Sequence, residues 1–130
     1  MGILAAVFVG LAALVHVYIF VLESLRWRHP ATWKVFGLSS QQDADTTAPL
    51  AYNQGFYNLF LAIGAAIGIV LVFTPAYAAG FALALFSTGS MLAAALVLLS
   101  TGRSRLRSAS IQGTFPLLGV IFLLITLVTR

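Results

Sequence analysis

The sequence predicts an all-α integral membrane protein, a four-helix bundle with antiparallel up-down topology that forms one domain over residues 1–130. Of its residues 61% are hydrophobic and only 8% are charged, whereas soluble domains are about 45–50% apolar and about 25% charged. Four apolar stretches each approach the roughly 20 residues that a helix needs to cross a bilayer. None alternates in polarity as the strands of a membrane barrel do. Backbone amides in lipid need partners within their own segment, so the stretches are predicted to be helices.

The first helix is predicted at about residues 3–25, where the polar residues are His16, Glu23 and Ser24. A cleaved signal peptide is the alternative for an apolar N-terminal stretch. This one has no basic region before it, is longer than a signal core, and shows no small-residue cleavage site. We therefore expect it to be a membrane-spanning helix.

The other three helices are predicted at about 50–73, 76–99 and 111–129. Thr74-Pro75 interrupts the second and third apolar stretches, because proline cannot continue the helical hydrogen-bond ladder. The short connection there predicts an antiparallel pair. The connections at 26–49 and 100–110 are longer and more polar, and we expect the segment 39–47 to be solvated. Asp43 and Asp45 lack the glycine and glutamate of a calcium loop, so a helix cap or a turn is expected there.

Basic residues predict the orientation. Six of the seven Lys and Arg residues lie in or beside the two long connections, and Arg130 alone lies on the other side. Positive residues are retained on the cytoplasmic side, so we expect both termini to be non-cytoplasmic and the membrane to be the cell inner membrane. The arginines at 103, 105 and 107 are expected to touch anionic membrane lipid. A nucleic-acid partner is not expected.

His16 and Glu23 are the ionisable residues of the first helix. At about 1.5 Å per residue, His16 lies about 15 Å from Arg26 and Glu23 about 5 Å from it. Seven residues make two turns, so both side chains are predicted on one face about 10 Å apart. Ionisable groups within a membrane indicate function, and we predict His16 and Glu23 as catalytic residues. The alternatives are a Glu23–Arg26 ion pair and a structural hydrogen bond from His16 to the second helix.

The second helix opens with a polar group predicted to bind a ligand: Asn53, Gln54, Tyr57 and Asn58. These side chains span about 140° of the helix, and Gly64 and Gly68 continue the same face. A G-x-x-x-G pattern permits close helix contact, so this face is expected to point into the protein. There it would share a cavity with His16 and Glu23. The alternative is that the amides simply join neighbouring helices.

Several chemistries are excluded. The chain has no cysteine, so thiol catalysis, Cys-ligated zinc and iron–sulfur clusters are ruled out. It carries no H-E-x-x-H, G-x-S-x-G, Walker or dinucleotide glycine motif. Its two histidines are a poor basis for haem or zinc. We expect no metal and no cofactor.

Three segments carry a family resemblance: His16 to Glu23, then Trp27 with residues 34–37, and Asn53 to Asn58 with the order N-Q-G-F-Y-N. Together they resemble the small bacterial and fungal membrane proteins catalogued as domain of unknown function 1304. The resemblance extends over essentially the whole chain. It implies four transmembrane helices and no particular reaction.

The leading functional hypothesis is an intramembrane polar cavity that binds an apolar or amphipathic small molecule. A proton-transfer isomerase acting on a lipid-like substrate fits such a site, with His16 as the acid or base. Asn53, Gln54 and Asn58 would hydrogen-bond the ligand. One alternative is a small oligomeric proton-coupled transporter, and another is a structural or accessory membrane subunit. A homodimer is a further expectation, because four helices make a thin bundle.

Overall fold

The structure, a computed structural model, describes residues 2–130, and within them all regular structure is helical. The first helix α1 (Gly2–Phe20) continues as a π-helical segment, Val21–Leu25. The others are α2 (Pro30–Val35), α3 (Gln41–Leu71), α4 (Tyr77–Ser100) and α5 (Leu106–Val128), and a 3-10 turn, Arg103–Arg105, precedes α5. Four of the described helices are long and apolar enough to cross a membrane. The prediction of an all-α four-helix membrane bundle is confirmed.

Helix α3 begins nine residues earlier than the sequence predicts, at Gln41 rather than at residue 50. Ser40 caps it, because the Ser40 Oγ accepts a hydrogen bond from the Asp43 amide at 3.1 Å. Such a cap satisfies one of the free amides of the first turn. Pro49 lies inside this helix and leaves the carbonyl four residues earlier without its helical partner. The segment 39–47 is mostly exposed, as predicted, but from Gln41 onward it is helix rather than part of a connection.

The interior of the bundle is built from small residues. The buried positions of α3 recur every three or four residues and consist of Ala44, Ala48, Ala51, Gly55, Asn58, Ala62, Ala65 and Gly68. The other long helices bury a similar row, while bulky side chains such as Phe60 and Phe86 lie exposed. Small residues let membrane helices approach closely, and large apolar ones suit the lipid. Size rather than polarity separates the inside of this bundle from its outside.

The two predicted glycines bring α3 against α4. A Cβ atom added at Gly68 would lie 2.5 Å from the backbone nitrogen of Ala84 and 2.8 Å from its Cα. One added at Gly64 would lie 2.5 Å from the Ser87 Oγ. The G-x-x-x-G pattern therefore forms a close helix contact as predicted, but the helix it contacts is α4.

Contacts between the connections place them at two ends of the bundle. Arg105 Nη1 donates to the carbonyl oxygen of Phe36 at 3.1 Å, so the connections at 26–40 and 101–105 meet; we call this the basic end. The Arg130 guanidinium lies 3.5 Å from the centre of the Tyr77 ring, so the C-terminus meets the start of α4 at the far end. This is the arrangement of an antiparallel up-down bundle.

Candidate functional site

A hydrogen bond joins α1 to α3 near the basic end. The Asn58 Nδ2 donates to the Glu23 Oε2 at 2.9 Å, and Asn58 is buried in the row of small residues of α3. The same nitrogen lies 3.2 Å from the Gln54 carbonyl oxygen. Glu23 does not form an ion pair with Arg26. The ion pair that is present among the described residues joins Arg28 to Asp45. A neutral amide is therefore the partner of this carboxyl group.

The π-helical segment around Glu23 is fixed directly against α3. Ser24 Oγ donates to the Tyr52 carbonyl oxygen at 2.8 Å. Gly55 allows this contact, because a Cβ atom there would collide with the Ser24 Oγ and lie 3.0 Å from the Ser24 backbone nitrogen. Single π turns within α-helices often occur at functional sites. Here the π turn holds two consecutive polar residues against one neighbouring helix.

A cleft of about 460 Å³ opens beside this contact at the basic end. Its lining includes Glu23, Trp27, Arg28, Pro49 and Tyr52. Along their helices, Glu23 and Tyr52 are the lining residues farthest from the 26–40 connection. The cleft thus offers a carboxyl group at its inner end, with aromatic rings and a basic side chain around it.

The connection that covers the cleft is tied to the start of α3. Trp27 Nε1 donates to the Thr47 Oγ1 at 3.2 Å, and Arg28 Nη1 to the Asp45 Oδ1 at 3.2 Å. Gln41 Nε2 donates to the Arg28 carbonyl oxygen at 3.0 Å. These bonds depend on the turns of α3 between residues 41 and 47. The early start of α3 therefore gives the cleft one of its walls.

His16 is sealed inside the bundle and does not line the cleft. The residue is 0% exposed, and its Nδ1 lies 2.9 Å from the Ala12 carbonyl oxygen on its own helix. A carbonyl oxygen only accepts, so Nδ1 carries the proton and Nε2 is left as an acceptor. Within the described chain Nε2 is buried and has no partner. The alternative of a structural hydrogen bond from His16 to the second helix is not found among the described residues.

Two more buried polar atoms in residues 2–130 have no hydrogen-bond partner. They are the Thr88 Oγ1, on a 0% exposed residue, and the Tyr77 hydroxyl at the far end. Tyr77 also lines a smaller and largely apolar cavity of about 100 Å³. Buried polar groups are almost always paired, so unpaired ones need an explanation.

Of the predicted ligand-binding residues, Asn58 alone turns inward. Asn53, Gln54 and Tyr57 are exposed on the surface of the bundle, so the expectation that the whole polar face points into the protein is wrong for these three. The buried row of α3 has a different direction, set by its alanines and glycines. The spacing of these alanines and glycines in the sequence indicates that Asn58 lies on the buried face. Grouping Asn58 with the neighbouring polar residues led to a different face.

Further lining residues of the cleft were not predicted as site residues. Trp27, Arg28, Pro49 and Tyr52 belong to this group. Pro49 lies before the predicted helix 50–73, so placing it on α3 opposite Glu23 required the start at Gln41. The described residues contain no group of three or more His, Asp or Glu side chains that could hold a metal ion.

Comparison with known proteins gives a family. No curated protein and no solved structure shows significant similarity to the chain. Residues 10–124 match the family described as "Protein of unknown function (DUF1304)". The match covers α1 from Gly10, all of α3 and α4, and most of α5, and it includes His16, Glu23 and Asn58. The chain therefore belongs to the DUF1304 family, as the resemblance of its motifs predicted.

Proposed function

We propose that this multi-pass membrane protein binds an amphipathic small molecule in the cleft at the basic end. The observation that carries the proposal is a single opening in which the Glu23 carboxyl group lies among aromatic and apolar side chains. Small-molecule sites commonly occupy about 300–1,000 Å³ and combine apolar walls with a few polar groups. The volume of about 460 Å³ fits that range.

The position of the cleft favours a ligand that is part apolar and part polar. Glu23 lies only about 5 Å along the helix from Arg26, which places the cleft near the boundary between hydrocarbon and headgroups. A molecule with its tail in the lipid can reach such an opening without leaving the membrane. The positive-inside rule puts this end at the cytoplasmic leaflet.

For a proton-transfer isomerase that acts on the bound molecule, we assign Glu23 as the acid or base. Its carboxyl group lines the cleft, so it can take a proton from one carbon of a bound lipid-like molecule and return a proton at another as the double bond moves. His16 lies about two helical turns from Glu23 and is buried inside the bundle. Its direct role in such a step is not supported by the geometry.

Binding can be tested with the tryptophan that lines the cleft. The chain has two tryptophans, and Trp33 is buried outside the cleft lining, so Trp33→Phe leaves Trp27 as the only tryptophan reporter. We expect brominated twelve-carbon amphiphiles, added to the protein in phosphatidylcholine nanodiscs, to quench Trp27 saturably. Nanodiscs that contain a free indole derivative in place of the protein are the control. Quenching in them is due only to partition of the amphiphile into the membrane and does not saturate.

A pair of matched substitutions locates the binding. Ala48 lines the cleft, whereas Ala66 is exposed elsewhere on α3. Ala48→Phe fills the opening and is expected to abolish saturable quenching by the brominated amphiphiles. Ala66→Phe is expected to leave the quenching unchanged. Quenching that never saturates, or that Ala48→Phe does not reduce in a folded protein, contradicts the proposed function.

Proton-coupled transport is a second candidate, and the three unpaired polar atoms favour it. Together with Glu23, the atoms on His16, Thr88 and Tyr77 occur from the basic end to the far end of the bundle. Buried polar groups facing one another across a membrane protein can form a proton relay. Proteoliposomes with an internal pH dye test this candidate. Substrate-dependent acidification that His16→Leu abolishes would establish transport, and binding without proton movement would exclude it.

A further inference from the structure

We infer that the ligand of the cleft is an amphiphile whose polar end is a positively charged ammonium group. The inference rests on the proposed function and specifies its ligand class. It follows from which charges and hydrogen-bonding groups of the cleft are already engaged and which are free. The occupant is thereby distinguished from neutral and anionic lipids of similar size.

The Glu23 carboxyl group has no ion-pair partner among residues 2–130. One of its oxygens accepts from the Asn58 amide, and among residues 2–130 the structure gives the other oxygen no hydrogen bond. Arg28 and His29 also line the cleft, and the Arg28 guanidinium is paired with Asp45 at 3.2 Å. A carboxyl group in a partly buried site is stabilised by an opposite charge close to it. The Glu23 carboxyl group at the inner end of the cleft is therefore a hydrogen-bond acceptor without a positively charged partner among the described residues.

Two of the polar side chains that line the cleft already donate their hydrogen to α3. Ser24 donates its hydroxyl hydrogen to the Tyr52 carbonyl oxygen, and Trp27 donates its ring N–H to Thr47. Pro49 has no backbone N–H to offer. An anionic headgroup at the inner end of the cleft would meet the Glu23 carboxyl group, which repels it when ionised. A headgroup that donates finds an acceptor ready.

The aromatic side chains of the lining suit the same headgroup. Trp27 and Tyr52 both face the cleft, in which Glu23 is the carboxyl group. Aromatic faces attract ammonium groups within about 6 Å of the ring centre, and tryptophan does so best. A carboxyl group with tryptophan and tyrosine around it is the combination that recognises an alkylammonium ion.

Three probes with the same brominated dodecyl chain and different headgroups test the inference: trimethylammonium, hydroxyl and sulfate. Each is titrated against the Trp33→Phe protein in phosphatidylcholine nanodiscs, and its partition into protein-free discs is measured and subtracted. We expect the ammonium probe to bind about tenfold more tightly than the alcohol, as one charge-assisted contact in a partly buried site provides. The sulfate probe is expected to bind most weakly.

Glu23→Gln keeps the size of the side chain and an oxygen that can accept from Asn58. We expect it to remove the advantage of the ammonium probe and to leave the alcohol within about twofold. Asp43→Asn is the matched control, because it removes an exposed carboxyl group at the same end that does not line the cleft. It changes the net charge of the protein by the same amount as Glu23→Gln does. We expect it to leave the affinities of all three probes unchanged.

The outcomes separate the two proposals. Saturable binding of the alcohol and ammonium probes with equal affinity, or an ammonium preference that survives Glu23→Gln, overturns the inferred ligand class while the proposed function stands. Tightest binding of the sulfate probe overturns it in favour of an anionic ligand. Saturable binding by none of the three probes overturns the proposed function itself.

Discussion

The contact of α3 with α4 and its contact with the end of α1 both use glycines, but the second adds hydrogen bonds between the helices and has a cleft beside it. Against α4, the glycines at 64 and 68 allow backbone and short side chains to meet. Against the π-helical end of α1, hydrogen bonds from Asn58 and Ser24 hold the helices, and a cleft of about 460 Å³ opens beside them. Close packing needs small residues and leaves no room. Hydrogen bonds can hold two helices together while space remains for a ligand.

The largest effect is expected where the packing is closest. Gly68→Leu would drive a side chain into the backbone of Ala84, and because backbone cannot move aside cheaply, we expect a loss of about 3 kcal/mol in the free energy of unfolding. Thermal unfolding in detergent, followed by tryptophan fluorescence, measures it. Gly89→Leu is the control, because a Cβ atom at Gly89 meets nothing within 4 Å. Equal stability of the two variants would contradict the close contact.

The hydrogen-bonded contact is expected to show a dependence of each partner on the other. Asn58→Leu leaves the partly buried Glu23 carboxyl group without its donor, so we expect a loss of about 1 kcal/mol. The double variant Glu23→Leu with Asn58→Leu removes both partners and is expected to lose less than Asn58→Leu alone. Chemical unfolding of the two single variants and the double variant gives the coupling. Additive losses would show that the two side chains do not interact.

His16 is expected to cost stability rather than provide it. Its Nε2 is buried without a partner, and such a group costs about 1–3 kcal/mol. His16→Leu removes that atom at similar volume, so we expect the free energy of unfolding to rise by about 1 kcal/mol after loss of the Nδ1 bond to Ala12. His29→Leu, at an exposed position, serves as the control with little change. A strong loss of stability in His16→Leu would mean that Nε2 has a partner in the membrane.

The smallest effect is expected at the surface of the basic end. Arg105 joins the two connections through an exposed hydrogen bond to Phe36. Arg105→Ala is expected to speed hydrogen exchange of the amides at 26–40 while leaving the unfolding temperature unchanged, since exposed bonds contribute little to global stability. Arg103→Ala changes a neighbouring exposed arginine and should leave exchange unchanged. Identical exchange in both variants would show that this bond does not order the connection.

The sequence predicts the helices well where lipid dictates their composition, and poorly where it does not. Apolar length identified four spanning helices because hydrocarbon imposes that length. The start of α3 at Gln41 was missed because its first turns are polar and Pro49 follows them. These turns depend on the Ser40 cap and on tertiary bonds to residues 27 and 28. A contact between distant parts of the chain cannot be read from hydropathy.

The site was predicted in part for a related reason. Glu23 and Asn58 were both selected, and the structure brings them together. Asn53, Gln54 and Tyr57 were grouped with Asn58 because polar residues were taken to face inward, but the interior is defined by alanine and glycine. In a membrane bundle the periodicity of small residues is the better guide to the buried face.

The wider turn at Val21–Leu25 determines which side chains α1 presents to α3 at the basic end. Neighbouring residues of an α-helix point about 100° apart, so Glu23 and Ser24 would diverge in a regular helix; a π turn rotates less per residue and lets both reach α3. Deleting one residue from this pentapeptide would restore the ordinary pitch. Trp27 and the residues after it would keep nearly the same direction around the axis, because four α-helical residues turn about as far as five π-helical ones, but only one of the two polar side chains could then face α3.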